Sequence, residues 1–140
     1  MTTQVVFAEV TESPLDAATL SAQVGHEAAG AVITFSGVVR NHDVGQAVDS
    51  IEYSSHPQAA AIIAQLAAET AVRDGVHGVG SAHRVGHLQV GDVALVAVVA
   101  AEHRSQGFGA VIDLVDEVKK RLPVWKKQHF TDGHTEWTGL

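Results

Sequence analysis

The chain has 140 residues, a formal net charge of −7, 46% hydrophobic residues and no cysteine. This length predicts a single domain over residues 1–140 with one hydrophobic core. The negative charge argues against a general nucleic-acid binder, because Lys and Arg supply most of that affinity. The absence of cysteine excludes thiolate chemistry of the protein's own, so any sulfur that it transfers must come from another molecule.

Neither a membrane span nor a signal peptide is predicted. The longest apolar run, Val93–Ala101, is about half as long as a membrane-spanning helix needs to be. No basic residue precedes Arg40, so the N-terminus lacks the charged start of a signal peptide. These features favour a cytoplasmic protein that does not associate with membranes.

In the first part of the chain, residues 5–8 are typical of a short strand, and a helix is predicted to follow. Ser13 offers a capping hydroxyl and Pro14 suits the first helical position, so the helix is expected to begin there and to end at Gly25. From Ala31 onward, apolar and polar residues alternate, which predicts a half-buried strand.

The middle of the chain predicts a loop, a strand and a second helix. Residues 40–46 are polar, contain glycine and lack periodicity, which is typical of a loop. A short strand is predicted through Ile51 and Tyr53. Pro57 then opens a helix whose apolar residues recur every three or four positions, and Gly75 is expected to close it.

Two strands and a third helix are predicted next. Residues 76–84 and 92–101 are interpreted as strands separated by the turn sequence GHLQVGD, and the second is apolar on both faces, which favours a central position in its sheet. Ser105 is predicted to cap a helix that runs to about Arg121, because Pro123 disfavours helical geometry before it.

The sequence Asp132-Gly133 near the end of the chain is a tight-turn signal and predicts a hairpin. The order of elements predicts an α+β fold in two layers, with about three helices on a mixed, largely antiparallel sheet.

Basic residues concentrate near the end of the third helix, as Lys119, Lys120, Arg121, Lys126 and Lys127. Such a patch in an acidic chain indicates either a site for a small anion or a helix end where cations offset the helix dipole. On a helical projection Lys119 falls within an apolar stripe made of Phe108, Val111, Ile112, Val115 and Leu122. It either extends along the edge of the core or lies in a pocket where desolvation lowers its pKa.

His103 and Arg104 directly precede the predicted Ser105 cap. An arginine beside a helix N-terminus favours anion binding, and the alternative is a surface ion pair with Glu102. The chain has nine histidines, but His83 and His87 are separated by Gly86 in a strand-like context and do not share a helical face. No metal and no other cofactor is therefore predicted.

Five segments together resemble the large, catalytic subunit of molybdopterin synthase. They are GAVITFSGVVRNHDVG (30–45), IEYSSHP (51–57), HRVGHLQVGD (83–92), AEHRSQGF (101–108) and VKKRLPVWKKQHF (118–130). They follow the order found in that family and cover most of the chain after residue 30, which makes the combination specific.

The resemblance implies a sulfurtransferase of molybdenum cofactor biosynthesis, which converts cyclic pyranopterin monophosphate to molybdopterin by installing two dithiolene sulfurs. It implies that the sulfur arrives as a thiocarboxylate on the C-terminal Gly-Gly tail of a small ubiquitin-like partner subunit. It also implies an α/β hammerhead fold and a heterotetramer built around a homodimer of large subunits. The absence of cysteine fits an external sulfur source.

The resemblance also implies which residues act. Matched by motif, Lys119 and Lys126 are the two essential lysines of the family and are predicted to be catalytic. A partly desolvated Lys119 is expected to act in acid–base chemistry or to stabilise an oxyanion, and Lys126 to neutralise a phosphate or the tail carboxylate. The residues predicted to bind substrate are Val38, Val39, Arg40, His103, Arg104, Lys127 and Gln128.

A helix from Ser105 to Lys119 spans about 21 Å, which is longer than a pyranopterin. We therefore expect a composite site, in which the dimer mate supplies His103 and Arg104. Two alternatives remain at the level of sequence. One is a non-catalytic pterin- or anion-binding module on the same scaffold, and the other is a nucleic-acid accessory protein that uses the basic patch, which the overall acidity disfavours.

Overall fold

The computed structural model describes residues 4–140. In this range the chain forms, in order, β1 (Val5–Thr11), α1 (Ala17–Val24), β2 (Ala31–Val38), β3 (His42–Asp43), β4 (Gln46–Ser55), α2 (Ala59–Ala71), β5 (Val76–Arg84), β6 (Gly86–Gln89), β7 (Val93–Ala101), α3 (Arg104–Arg121), β8 (Val124–Phe130) and β9 (Thr135–Gly139). The predicted α+β class is confirmed. No helix within residues 4–140 has both the length and the apolar character needed to cross a bilayer.

The first sheet is mixed and has the strand order β1-β5-β7-β2. β1 and β5 run parallel, whereas β7 is antiparallel to both β5 and β2. The predicted central position of β7 is confirmed, because helices cover both of its faces. Ala97 and Val99 pack in the core formed with α2 and α3, while Val96 and Val98 pack toward α1. A strand covered on both sides has no polar face, which explains its continuous apolar run.

The second sheet has the order β3-β4-β8-β9, and β6 also pairs with β4. A small hydrophobic cluster joins this sheet to the first one. In it, Val39 from the end of β2 and Ala94 from β7 pack with Ile51, Leu88 and Phe130. The second sheet therefore lies against the end of the first sheet where β2 stops and β7 starts.

The predicted start of the first helix and the predicted end of the second were wrong by about three residues, whereas the predicted end of the first helix at Gly25 is confirmed. α1 begins after Asp16, whose carboxylate accepts hydrogen bonds from two backbone N–H groups of the first turn at 3.1 and 3.2 Å. An aspartate in this position is a strong N-cap, so it displaces the predicted start at Ser13 and Pro14. α2 ends at Ala71, before Gly75.

The third helix begins two residues before its predicted start. His103 has an extended backbone and occupies the N-cap position, and its N–H donates to Oε1 of Gln106 at 3.1 Å. Ser105 is consequently inside the helix rather than its cap, and Arg104 is the first helical residue. The predicted end near Arg121 is confirmed.

Two segments predicted as irregular form short strands. The predicted loop at residues 40–46 is a tight hairpin, in which β3 pairs with the start of β4 and Val44 and Gly45 have φ angles of 48° and 76°. Two successive positive φ angles are typical of a type I′ turn. Part of the predicted turn GHLQVGD is β6, which pairs with β4. The predicted C-terminal hairpin is confirmed by the pairing of β8 with β9.

Candidate active site

A cavity of about 240 Å³ lies where the two sheets meet. The residues that line it are Gly37, Val38, Val39, Arg40, His42, Val48, Ile51, Tyr53, His83, Ala94, Leu95, Lys119, Lys126, Gln128 and Leu140. The fold thus brings the two predicted catalytic lysines together with four of the seven predicted substrate-binding residues.

The end of β2 brings Val38, Val39 and Arg40 to this cavity. The pairing of β2 with β7 shifts register after Gly37, so the chain leaves the sheet at this point. Val39 is buried, whereas the Arg40 side chain is exposed and its guanidinium lies 3.4 Å from the carboxylate of Asp43. An exposed ion pair of this kind contributes little to stability, so Arg40 is free to meet an anionic ligand.

Strand alternation determines which polar residues of β8 reach the cavity. Lys126 and Gln128 line it, while Lys127 lies between them and points to the opposite face of the sheet. The Nζ atom of Lys127 is 5.8 Å from the ring centroid of Trp137 on β9. Lys127 therefore does not line the cavity, and its predicted role in substrate binding stays a prediction.

Gln128 presents a buried acceptor that the protein does not satisfy. Its side chain is only 3% exposed, and its Oε1 atom has no hydrogen-bond partner within residues 4–140. A buried acceptor without a partner costs about 1–3 kcal/mol. A ligand that donates a hydrogen bond in this cavity would offset that cost.

Lys126 is the partly buried cation of the cavity. Burial lowers the pKa of its ammonium group, the carboxylate of Asp43 opposes this effect, and the positive charges of Lys119 and Arg40 reinforce it. A lysine with a lowered pKa has a larger neutral fraction near physiological pH, which suits it to proton transfer.

Lys119 lines the cavity from the last turn of α3, but its side chain is exposed. The predicted apolar stripe lies at the boundary between core and solvent. Phe108 and Ile112 are 54% and 59% exposed, whereas its other members, Val111, Val115 and Leu122, are buried. Lys119 lies on the exposed side of this stripe, which agrees with the predicted alternative of a lysine at the edge of the core. The charge of Lys119 still acts within the cavity, since it contributes to the lowered pKa of Lys126.

His83 and Tyr53 are cavity residues to which the sequence analysis gave no function. His83 is 2% exposed, and its Nδ1 atom lies 2.7 Å from the carbonyl oxygen of Arg84. Burial lowers the pKa of His83 to about 4; the hydrogen bond to the Arg84 carbonyl opposes this shift and the charge of Lys119 adds to it. Tyr53 packs with its ring edge toward His83 at a centroid distance of 5.1 Å, and burial raises the pKa of its phenol.

His83 lies in one of the five segments that carry the family resemblance, so it could have been considered as a site residue. The pattern of the strand, however, did not indicate that His83 is buried. β5 is buried on both faces from Gly78 to His83, so alternation does not reveal which side chains face the cavity. His42 and Leu140 also line the cavity and were not predicted.

His103 and Arg104 do not line the cavity. They lie at the opposite end of α3 from Lys119, and fifteen helical steps from Arg104 to Lys119 correspond to about 22 Å. Both side chains are exposed. Within one chain, the structure therefore separates these two residues from the lysines.

The cavity contains the cations Arg40, Lys119 and Lys126, the neutral imidazole of His83 and the unsatisfied acceptor of Gln128. Converging cations at a partly desolvated site attract anions. The fold and the cavity thus define an α+β protein whose cavity has the chemical features expected of a site for a small anionic ligand that also donates hydrogen bonds.

Comparison with known proteins identifies the family. The family model described as MoaE protein matches residues 10–121. Curated molybdopterin synthase catalytic subunits from Nostoc sp. and Bacillus subtilis are 35% and 32% identical to this chain. Each alignment covers 94% of the chain, and they cover 81% and 83% of the respective relatives. The chain belongs to the family of molybdopterin synthase catalytic subunits, which confirms the predicted sulfurtransferase function.

Solved structures agree with this assignment. Molybdopterin synthase from Staphylococcus aureus superimposes with a TM-score of 0.84 at 30% identity, covering 96% of this chain and 97% of that one. The MoaE protein from Burkholderia ambifaria gives a TM-score of 0.75 at 27% identity, covering 95% and 88%. A complex of subunits 1 and 2 of molybdopterin-converting factor from Helicobacter pylori gives 0.72 at 18% identity, covering 94% and 88%, which indicates a shared fold.

Proposed function

We propose that the cavity is the catalytic site at which cyclic pyranopterin monophosphate is converted to molybdopterin. The observation that carries this proposal is the convergence of Lys119, Lys126 and the unsatisfied Gln128 acceptor on one cavity. The cations match the phosphate of the substrate, and the acceptor matches the N–H groups of a pterin ring. Arg40 adds a further positive charge at the end of β2.

The burial of the two lysines supports distinct roles for them. Lys126 is half-buried and has a lowered pKa, so it is the better candidate for proton transfer. Lys119 is exposed and lines the same cavity, so it is the better candidate for stabilising the oxyanion that forms when the thiocarboxylate carbonyl is attacked. The resemblance led us to expect a desolvated Lys119 in acid–base chemistry, whereas the burial in this structure favours Lys126 for proton transfer instead.

Val38, Val39 and Gln128 are proposed to position the substrate. Val39 is buried and Val38 is about half exposed, so both offer apolar surface beside the polar groups of the cavity. Mostly apolar walls with a few placed polar groups are typical of small-molecule sites. The neutral imidazole of His83 provides an additional hydrogen-bonding atom in the same cavity.

The sulfur donor is proposed to be a small ubiquitin-like subunit whose C-terminal Gly-Gly tail carries a thiocarboxylate. The chain has no cysteine, so the sulfur needs an external carrier. The Helicobacter pylori structure is by its description a complex of two subunits of molybdopterin-converting factor, which supports a small-subunit partner.

We further propose that two copies of this chain form a homodimer at the centre of a heterotetramer. Phe108 and Ile112 form an exposed apolar stripe on α3, and α3 packs against β2, an edge strand of the first sheet. Exposed apolar stripes of this kind are typical of interaction surfaces. Because Arg104 is about 22 Å from Lys119 along α3, the dimer mate is the proposed source of His103 and Arg104 for a composite site. A cytoplasmic location remains part of this proposal.

The decisive experiment measures conversion of cyclic pyranopterin monophosphate by purified protein and a thiocarboxylated small subunit. We expect product from the wild type and loss of at least 100-fold in rate for Lys119→Ala. If Lys119→Ala forms a complex with the small subunit and retains the wild-type rate, the assigned site is wrong. Binding of the pterin by the wild type without any product would instead support the non-catalytic binding module.

A mixing experiment tests the composite site. Lys119→Ala and Arg104→Ala are expected to be inactive as separate homodimers. In a mixed dimer one site combines an intact Lys119 with an intact Arg104 from the mate, so we expect activity to return. Absence of activity in mixed dimers whose formation is verified by native mass spectrometry would contradict the proposal.

A further inference from the structure

On the face of the second sheet opposite the cavity, three side chains from three adjacent strands converge. They are Glu52 on β4, His87 on β6 and His129 on β8, and each offers one ligand atom within 4.8 Å of the other two. The Nε2 atom of His129 lies 2.9 Å from Oε1 of Glu52, and the Nδ1 atom of His87 lies 3.9 Å from the same oxygen.

Strand pairing produces this arrangement. β4 lies between β6 and β8, and Glu52 is directly opposite His87 on one side. On the other side, His129 pairs with Ser50, two residues before Glu52 and on the same face of β4. Residues opposite and diagonal to each other on one face have Cβ atoms within about 8 Å. The backbone therefore holds the three side chains together without help from a loop.

The spacing and the chemistry of these groups match a metal site. Zinc bonds imidazole nitrogen at about 2.0–2.1 Å and carboxylate oxygen at about 2.0–2.2 Å, which sets tetrahedral ligand atoms roughly 3.3 Å apart. The observed separations of 2.9 and 3.9 Å lie on either side of this value. Two imidazoles and one carboxylate also form a known zinc ligand set, with water in the fourth position.

We propose that Glu52, His87 and His129 form a binding site for a divalent transition-metal ion such as Zn²⁺. The side chains of His87 and Glu52 are 50% and 43% exposed and that of His129 is 27% exposed, so the ion has access from solvent. The cation of Lys127 lies on the same face opposite Glu52, but its ammonium is directed over the Trp137 ring. Side-chain rotations are sufficient to close the three ligands around an ion.

A bound ion would connect β6, β4 and β8, and the reverse face of β4 and β8 carries Tyr53, Lys126 and Gln128 at the cavity. The ion itself lies outside the cavity. The site is therefore expected to stabilise the strands that support Lys126 and not to participate in sulfur transfer. Its existence is independent of the proposed catalytic roles.

The test is calorimetric titration of Zn²⁺ into metal-free protein that carries no affinity tag, together with the thermal midpoint of unfolding with and without Zn²⁺. We expect one Zn²⁺ per chain and a rise in the midpoint, because a ligand that binds the folded state stabilises it. In His87→Ala and Glu52→Gln, the affinity is expected to fall at least tenfold and the rise to disappear. Co²⁺ binding should give the intense visible bands of a four-coordinate site in the wild type.

The matched control is His77→Ala. His77 also pairs with a carboxylate, Glu102, at 3.2 Å, but no third ligand that could complete a metal site joins this pair within residues 4–140. We expect Zn²⁺ binding by His77→Ala to equal that of the wild type. The proposal is overturned if the wild type binds no Zn²⁺, if His87→Ala binds it with unchanged affinity while folded by circular dichroism, or if His77→Ala loses binding equally.

Discussion

The Nδ1 atom of His83 lies 2.7 Å from the backbone carbonyl oxygen of Arg84. A carbonyl only accepts hydrogen bonds, so Nδ1 carries the proton and donates it. Because burial keeps the ring neutral, with a pKa of about 4, Nε2 is left as an acceptor on the other side of the ring. The hydrogen bond thus fixes the tautomer of a histidine that lines the cavity.

This arrangement predicts that stability falls between pH 6.5 and pH 4. The unfolded chain protonates His83 near pH 6.5, whereas the folded chain does so only near pH 4. The stabilising effect is complete above pH 6.5 and decreases as the pH falls toward 4, by roughly 3 kcal/mol in total. Urea unfolding at a series of pH values measures this dependence.

The control for this prediction is His83→Asn, whose amide retains a donor for the Arg84 carbonyl but does not titrate. Its free energy of unfolding should depend much less on pH between 6.5 and 4. The exposed carboxylates of Glu69 and Asp132 also have lowered pKa values, but they titrate below about pH 5 in the unfolded chain and are unchanged in this variant. Equal pH dependence in the wild type and the variant would refute the prediction.

His83 also illustrates which parts of the fold the sequence did and did not predict. Elements with a clear period or a uniform apolar run, such as β2 and β7, were predicted with the correct type and position. Short elements such as β6 were missed, because four residues carry too little pattern and β6 forms by pairing with β4. The burial of His83 likewise depends on strands distant in sequence.

The candidate site was predicted from motifs, but its geometry required the fold. Helical projection aligned Lys119 with an apolar stripe, yet it did not show which part of that stripe is buried. That boundary depends on where α3 lies on the sheet: Val111 and Val115 are buried, whereas Phe108 and Ile112 on the same stripe are exposed. Similarly, the adjacent residues Lys126 and Lys127 were interpreted from the sequence as part of one cationic patch. Side chains alternate between the two faces of a strand, so the two lysines lie on opposite faces of the sheet.

The pH dependence of the reaction should respond to Asp43. Its carboxylate raises the pKa of Lys126, so Asp43→Asn lowers that pKa further and favours the neutral amine. If neutral Lys126 transfers the proton, the acidic limb of the kcat profile shifts to lower pH in this variant. Stopped assays of molybdopterin formation from pH 6 to 10 measure the shift.

Asp49→Asn is the control for this experiment. Asp49 is exposed on β4, and its carboxylate is not among the groups that shift the pKa of Lys126. The pH profile of kcat for Asp49→Asn should overlay the profile of the wild type. A limb that remains in place in Asp43→Asn, or that moves to higher pH, would exclude Lys126 as the titrating group.

Adjacent lysines on β8 should differ sharply in their effect on catalysis. Lys126 lines the cavity and Lys127 lies on the opposite face of the sheet. Lys126→Ala is therefore expected to reduce kcat by at least about 100-fold, whereas Lys127→Ala should retain kcat within about threefold. The two variants remove the same charge from neighbouring positions, so each serves as the control for the other. Comparable losses of kcat for the two variants in single-turnover assays would show that the face of the sheet on which a lysine lies does not determine its role in catalysis.

The exposed stripe on α3 should control dimerisation. Ile112 is 59% exposed, so Ile112→Asp is expected to fold normally while placing a charge in the proposed interface. Loss of one buried aliphatic side chain and burial of a carboxylate should weaken self-association by on the order of 100-fold. Sedimentation velocity at several protein concentrations measures the dissociation constant.

Val72→Asp provides the matched control, because Val72 is an 85% exposed aliphatic residue at the end of α2 and does not belong to the stripe on α3. Its dissociation constant should equal that of the wild type. Because the proposed composite site needs a dimer, Ile112→Asp should also lose synthase activity in proportion to its monomer fraction and regain it at high protein concentration. Full activity in a preparation that is monomeric by sedimentation would show that one chain supplies the complete site.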